Sequence, residues 1–238
     1  MEQIYTIPVN EAFEAGASNP SCGCPFCRLR DRLEAEERDL ILGASMMEPE
    51  TRQKTNAQGF CRRHFKMLLD GGKKLPVALI LESHLAEIDD MIKKPGIMPG
   101  LSGGECGKRI RELCDDCYIC RRVGFNFDNM MSTAALLLES DPDFRKKCDA
   151  QPWFCLEHFG QFVLTARDRL RTKDFSEFYR AMYKKESETL EKLSKDVSWF
   201  AKKFDYRYAD EPWNGAENAV ERAVEFLCPG TTGEQAVL

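Results

Sequence analysis

The sequence predicts an all-α protein, and three observations support that fold class. Apolar residues recur three, four and seven positions apart in several segments, which is the spacing of helices that bury one face. Residues 175–204 contain neither glycine nor proline and are rich in residues that favour helices. No segment shows the alternation of apolar and polar residues that is typical of a half-buried strand. We therefore expect helices throughout the chain.

The composition indicates a soluble globular protein. The 238 residues are 43% hydrophobic and 31% charged, enough for one large domain or two of ordinary size. A net charge of −5 argues against broad binding to nucleic acid or to anionic membranes. The N-terminus lacks a secretory signal, and the longest apolar run, 75–81, is too short to span a bilayer. We expect a cytoplasmic location, where eleven cysteines favour metal or redox chemistry over disulfides.

In the first half of the chain, an N-terminal segment at 1–23 is predicted to hold only a short helix near 9–13. The stretch 28–42 is predicted to be amphipathic, because its leucines and isoleucine recur on one face. Further helices are expected to begin near Pro49 and at Cys61, and to span 75–94. The helix that begins at Cys61 places Cys61, His64, Phe65 and Leu68 on one side.

The second half begins after a predicted linker at 95–104, which contains two prolines and four glycines. The helices expected beyond it span 105–113, 125–139, 159–171, 175–204 and 216–227. Together these patterns divide the chain into a first repeat at 1–95, a second repeat at 105–172 and C-terminal helices at 173–238. We expect the C-terminal helices to complete the core of one compact unit.

A duplicated motif is the strongest signal in the sequence. The frame Phe-Cys-x-x-His-Phe occurs at 60–65 and again at 154–159, and each copy follows a Cys-x-x-Cys pair. Cys27 stands 34 positions before Cys61, and Cys120 stands 35 positions before Cys155. The order along the chain predicts two Cys₃His sites, the first formed by Cys24, Cys27, Cys61 and His64, and the second by Cys117, Cys120, Cys155 and His158.

Zinc is the metal that this pattern favours. Two ligands across a tight turn and two at the start of a helix can place four donors at the corners of a tetrahedron, which Zn²⁺ prefers with Cys and His. Three thiolates and one imidazole leave a net charge of −1 at each site, which the neighbouring arginines could offset; an alternative is that these arginines lie on a solvated face. The sequence therefore predicts two zinc ions per chain.

Several alternatives stay open at this point. Cys22 and Cys114 precede the two pairs, and either could replace a ligand or contribute to an iron–sulfur cluster. A redox-active dithiol is another alternative, as are thiols that are simply buried in a duplicated helical core. Cys106, Cys148 and Cys228 have no partner at ligand spacing and are interpreted as buried or incidental thiols. His84 lies on the apolar face of its helix and is interpreted as a structural histidine.

The aromatic stretch 199–213 is a candidate ligand pocket. It concentrates tryptophan, phenylalanine and tyrosine residues among a few charges. The residues proposed to line the pocket are Asp205, Arg207, Tyr208 and Trp213. The alternative is an aromatic cluster that packs the C-terminal helices onto the core, with Arg207 paired to an aspartate.

The chain resembles an uncharacterised bacterial family, a domain of unknown function that is common in anaerobes. The resemblance covers nearly the whole chain and depends on the stretches 5–13, 22–27, 59–64, 203–207 and 212–213. It implies that the aromatic Asp-Tyr-Arg stretch belongs to the family pattern. It carries no activity, substrate or catalytic residue.

The sequence as a whole favours a protein with two structural zinc sites that acts as a binding or interaction module, without catalysis, for an unidentified protein or small-molecule ligand. Four protein ligands per site leave no open position for water or substrate, which catalytic zinc requires. Two other functions remain as alternatives. One is an iron–sulfur or thiol-based redox protein, and the other is a hydrolase with one three-ligand zinc.

Overall fold

A computed structural model describes residues 3–93 and 99–228. These residues form eleven α-helices and no strand, which confirms the all-α fold class. The helices are α1 (Thr6–Ser18), α2 (Pro25–Ile41), α3 (Pro49–Gln58), α4 (Arg62–Asp70), α5 (Lys74–Lys93), α6 (Pro99–Cys114), α7 (Tyr118–Ser140), α8 (Pro142–Asp149), α9 (Leu156–Arg169), α10 (Thr172–Lys202) and α11 (Ala219–Leu227). Within the described ranges, no helix is both long enough and apolar enough to cross a membrane.

The chain divides into two compact units whose boundaries differ from those of the sequence repeats. The first unit comprises residues 1–31 and 127–238, and the second comprises 32–126. Helices α2 and α7 therefore each supply residues to both units. This arrangement differs from the division at 1–95, 105–172 and 173–238 that the repeats predicted.

The core of the first unit is a cluster of phenylalanines. Phe13 of α1 lies 4.7 to 6.4 Å, between ring centroids, from four other phenylalanine rings. All five rings are fully buried: Phe13, Phe26, Phe144, Phe154 and Phe162. Tilted and edge-to-face pairs of this kind add about 0.5–1.5 kcal/mol each beyond the burial of their area. This core surrounds the second copy of the Cys-x-x-His motif, since Phe154 directly precedes Cys155.

The second unit has a smaller aliphatic core between α3, α4 and α5. Leu68 of α4 and Ile80 of α5 are 0% and 1% exposed, and the end of α2 adds Ile41 at 1%. A hydrogen bond from the Tyr118 amide to the Gly59 carbonyl, 3.0 Å long, joins the start of α7 to the loop before α4. That bond connects the first copy of the Cys-x-x-His motif to the second Cys-x-x-Cys pair.

Two sequence predictions need correction. The helix predicted near 9–13 is longer than expected, because α1 spans thirteen residues and carries Phe13 into the middle of the core. The pattern around 9–13 indicated a helix, but single-sequence periodicity does not show which helix a core requires. The predicted linker at 95–104 lies partly outside the described residues, and its remainder from Pro99 is the start of α6. Proline is tolerated in the first turn of a helix, so it marked a start here and not a loop.

Candidate metal centres

The eight predicted ligand side chains meet in two clusters, but the pairing is exchanged. Centre 1 is formed by Cys24, Cys27, Cys155 and His158, and centre 2 by Cys61, His64, Cys117 and Cys120. In each centre the four donor atoms lie within 4.8 Å of one another. Each Cys-x-x-Cys pair thus joins the Cys-x-x-His of the other copy, and the pairing by order along the chain was wrong.

Helix length gives a physical reason for the exchange. Helix α2 follows Cys24 and has 17 residues, so it carries the chain about 25 Å away at 1.5 Å per residue. Helix α3, which precedes Cys61, has only ten residues. The second copy repeats this imbalance, since α7 has 23 residues and α8 has eight. In both copies the long helix thus separates the Cys-x-x-Cys from the Cys-x-x-His that follows it, and the two clusters join half-sites of different copies.

Each centre is assembled at the N-termini of two helices. Cys61 is the N-cap of α4 and Cys155 is the N-cap of α9, and the two histidines follow in the first turn. The Cys-x-x-Cys pairs stand at the starts of α2 and α7. A helix N-terminus carries roughly half a positive elementary charge, which stabilises thiolates. The Cys120 amide, 3.5 Å from Cys117 Sγ, is one backbone donor in this arrangement.

The dimensions of both centres fit one tetrahedral ion. Bonds of about 2.3 Å to sulfur and 2.0–2.1 Å to nitrogen place tetrahedral ligands about 3.8 Å apart for two sulfurs and about 3.5 Å apart for sulfur and nitrogen. In centre 1 the Cys27 and Cys155 sulfurs are 3.6 Å apart, and His158 Nδ1 lies 3.1–3.8 Å from the three sulfurs. In centre 2 the Cys61 and Cys120 sulfurs are 3.9 Å apart, and His64 Nδ1 lies 3.2–3.3 Å from the sulfurs. Each set of donors therefore surrounds a space of the size that a single metal ion fills.

Protonation also favours a bound cation at centre 1. Burial raises the pKa of the Cys24 thiol, but contacts with Cys155, Cys27 and His158 outweigh it and bring the pKa well below its usual value. The contact with Cys24 then raises the pKa of Cys155 to about 12, and the neighbouring sulfurs raise that of Cys27. Three crowded thiols thus do not ionise together by themselves. A bound cation would remove this penalty and make all three available as thiolate ligands.

Centre 2 shows the same chemistry in a Cys–His pair. Burial opposes ionisation of both groups, but the hydrogen bond between them reverses the outcome. The pKa of Cys117 falls to about 6 and that of His64 rises to about 9, while burial and the neighbouring Cys117 raise the pKa of Cys120 to about 12. Of the Cys117 and Cys120 thiols, only Cys117 readily becomes a thiolate without a further positive charge.

The two centres differ in exposure. All four residues of centre 1 are buried, and His158 and Cys155 are 0% exposed. In centre 2 the histidine and Cys117 are buried, but Cys61 is half-buried and Cys120 is exposed. Solvent and chelators therefore reach the sulfurs of centre 2 more readily than those of centre 1.

The two centres also differ in the group that contacts each histidine ring besides the cysteines. His64 Nε2 faces the buried carboxylate of Glu34, with His64 Nε2 and Glu34 Oε1 separated by 3.8 Å, and Arg63 pairs with the same carboxylate at 2.5 Å. The ring of His158 instead packs against the Phe127 ring, 5.1 Å between centroids. Glu34 and Phe127 occupy equivalent positions, each ten residues after the first cysteine of its pair. The shared offset can be counted from the sequence. The sequence does not show that these positions lie beside the histidines, because that depends on the exchanged pairing.

The arginines near the two centres either donate hydrogen bonds to backbone carbonyls or form ion pairs with carboxylates. Arg28 donates to the carbonyls of Cys22 (2.6 Å), Gly23 (3.1 Å) and Ala12, and so fixes the turn that leads into centre 1. Three further arginines form ion pairs with carboxylates: Arg63 with Glu34, Arg121 with Asp116, and Arg122 with Glu37. The Arg28 contacts hold the backbone of the Cys-x-x-Cys turn in place.

The remaining cysteines lie outside both centres. Cys22 and Cys114, the alternative ligands, are half-buried and exposed respectively, and belong to neither cluster. Cys148 is fully buried, and burial raises the pKa of its thiol to about 12, so it is an unreactive core residue. His84 is structural, as its helix pattern predicted, because its Nδ1 lies 2.8 Å from the Asn56 carbonyl at the end of α3.

The predicted pocket residues lie in a turn between α10 and α11. Asp205 and Arg207 form a two-pronged ion pair, with the closest nitrogen and oxygen 2.6 Å apart. Trp213 packs on Phe200, and the Tyr208 ring lies edge-on to Trp199, 6.0 Å between centroids. Arg207 thus has its partner within the turn. The arrangement resembles the packed aromatic cluster that was the alternative to a pocket.

Comparison with known proteins identifies a family and no function. A family described as a family of unknown function (DUF6062) matches residues 1–234. Comparisons with curated proteins and with solved structures gave no match.

Proposed function

The chain belongs to the DUF6062 family, and we propose from its own residues that it is a zinc protein with two structural Cys₃His sites that acts as a binding module. The observation that carries the proposal is the pair of four-donor clusters, each with donor atoms within 4.8 Å of one another. Because zinc favours tetrahedral sulfur and nitrogen ligands, the donor set and its size fit zinc together. We expect two zinc ions per chain.

The size of the clusters favours a single ion over an iron–sulfur cluster. An iron–sulfur cluster inserts several irons and bridging sulfides between its cysteines, which forces the cysteine sulfurs further apart than single-ion ligands. Sulfur separations of 3.6 Å in centre 1 and 3.9 Å in centre 2 match one ion. The histidine in each cluster also favours zinc over the four cysteines that common clusters use.

A structural role follows from the ligand count and from the elements that the ligands join. Each centre has four protein ligands, so a bound ion would lack the open position that a catalytic zinc keeps for water. Each centre also joins sequence segments that are far apart, since Cys27 and Cys155 differ by 128 positions. Structural zinc in zinc-finger peptides contributes about 10–16 kcal/mol of binding free energy to folding. We therefore expect chelation to unfold the chain.

Metal analysis of the full-length protein tests the proposal. Anaerobically purified protein is expected to be colourless and to contain two zinc ions per chain. A brown preparation with iron and acid-labile sulfide would support the redox alternative and contradict the proposal. The hydrolase alternative would require water to replace one protein ligand of a centre. X-ray absorption spectroscopy at the zinc edge would detect that water as an oxygen in the coordination sphere.

Paired variants test the exchanged pairing. His64→Ala combined with Cys117→Ser removes two ligands of centre 2, so we expect the loss of one zinc ion and retention of the other. His64→Ala combined with Cys24→Ser removes one ligand from each centre and should affect both ions. Pairing by order along the chain predicts the reverse pattern, so zinc stoichiometry after mild chelation separates the two arrangements.

A further inference from the structure

A cavity of about 630 Å³ lies in the first unit between α10, α11 and the loops that precede centre 1. Its volume is within the range of small-molecule sites, which is about 300–1,000 Å³. Trp153 and Phe226 form an aromatic wall, with ring centroids 6.1 Å apart, and Leu193 and Pro152 extend this apolar surface.

A carboxylate without a partner lies against the inner wall of the cavity. The wall contains Gly23 and Phe226, which are buried, and Glu225, which is half-buried. A methyl group at Gly23 would lie 2.9 Å from Glu225 Oε1, so the carboxylate rests directly against the Gly23 backbone. Glu225 makes no hydrogen bond or ion pair with any described residue.

The rim of the cavity carries positive charge. Lys192 is exposed at the rim and, among the described residues, has no ion-pair partner. Arg222 is held in place by Asp196 Oδ2 at 2.9 Å and by Asn218 Oδ1 at 3.0 Å. The cavity therefore has a negative inner wall, an apolar side and a positive rim.

From this arrangement we propose that the cavity binds an α-amino acid with an apolar side chain. The ammonium group would pair with Glu225, the carboxylate with Lys192, and the side chain would pack on Trp153 and Phe226. This inference names the class of ligand for the binding module proposed above. It rests on that proposal only for the binding role, not for the zinc sites.

The charge distribution distinguishes this ligand class from its neighbours. A purely anionic ligand would be repelled by the Glu225 carboxylate that lines the cavity. A ligand with cations at both ends would meet Lys192 at the rim. An α-amino acid carries an ammonium and a carboxylate on the same carbon and so can pair with Glu225 and Lys192 together, and charge-assisted hydrogen bonds of this kind are the stronger ones.

Calorimetric titration of the full-length, zinc-replete protein tests the inference. The probes are L-phenylalanine and two analogues that each lack one charge, namely 2-phenylethylammonium and 3-phenylpropanoate. We expect L-phenylalanine to bind at least about tenfold more tightly than either analogue, because each analogue leaves one charged group of the cavity unpaired. No detectable heat with L-phenylalanine at concentrations on the order of millimolar would overturn the inference.

Variants then assign the two ends of the ligand. Glu225→Gln is expected to weaken L-phenylalanine about tenfold and not to weaken 3-phenylpropanoate, because only the first ligand has an ammonium group and the second is freed of a repulsive charge. Lys192→Met is expected to weaken L-phenylalanine and leave 2-phenylethylammonium unchanged. The matched control is Glu221→Gln, one turn earlier on α11 and outside the cavity lining. Equal effects of Glu225→Gln and Glu221→Gln would overturn the assignment.

Metal content keeps this test separate from that of the proposed zinc sites. Protein with two zinc ions that fails to bind L-phenylalanine refutes the cavity inference and leaves the zinc proposal intact. Protein that lacks zinc and still binds L-phenylalanine refutes the zinc proposal and supports the cavity.

Discussion

Glu34→Gln should weaken zinc at centre 2 and leave centre 1 unchanged. The Glu34 carboxylate is 7% exposed and lies 3.8 Å from His64 Nε2, so it orients the ring and increases the basicity of the other nitrogen. Loss of such a partner typically costs 10- to 100-fold in metal affinity. Because 3.8 Å is longer than a hydrogen bond, we expect the lower end, about tenfold, or about 1.4 kcal/mol of binding free energy.

A competitive chelator titration that follows the two zinc ions separately measures this effect. The matched control is Glu36→Gln, two positions further along α2, where the carboxylate is exposed and pairs with Arg32. The control should match the wild-type protein at both centres. An equal loss of affinity at both centres, or unchanged affinity at centre 2, would refute the role assigned to Glu34.

Three further predictions concern stability. Burial raises the pKa of Glu186 to about 7, so the folded protein keeps a proton that the unfolded chain releases above pH 4.5. Glu186→Gln retains an acceptor for the Phe154 amide and should raise the melting temperature at pH 8 and not at pH 4. The control Glu188→Gln should not show this pH-dependent increase. Phe13→Ala should lower the free energy of unfolding by about 3–5 kcal/mol in denaturant titrations, because it empties the centre of the phenylalanine cluster. Arg207→Ala should leave the melting temperature unchanged, because the ion pair with Asp205 is on the surface; a clear drop would indicate a structural role for that turn.

Local signals in the sequence predicted most of the helices. The expected helix at 75–94 is α5, and the one at 28–42 is α2, begun three residues earlier at Pro25. These elements are predictable because their periodic apolar positions depend on a few neighbouring residues. The start of α6 was missed because Pro99 and its neighbouring glycines have the composition of a loop. Its helical state depends on context that composition does not record.

The eight residues of the two clusters were also predictable as candidate ligands, because metal coordination restricts the residue types and their spacing within each half-site. Cys-x-x-Cys and Cys-x-x-His each place two donors on one turn of backbone, so each can be recognised from four residues. The pairing of half-sites has no such local signature. It depends on how far α2 and α7 carry the chain before it returns.

The sequence by itself determined the fold class, the duplicated motif and the eight candidate metal ligands, because each depends on residue type at short, fixed spacing. The tertiary structure decided which half-sites meet, that a carboxylate supports His64 while an aromatic ring covers His158, and that a cavity with Glu225 lies beside centre 1. These features join residues that are tens to more than a hundred positions apart. Their distances depend on helix lengths and packing across the whole chain, which no local pattern specifies.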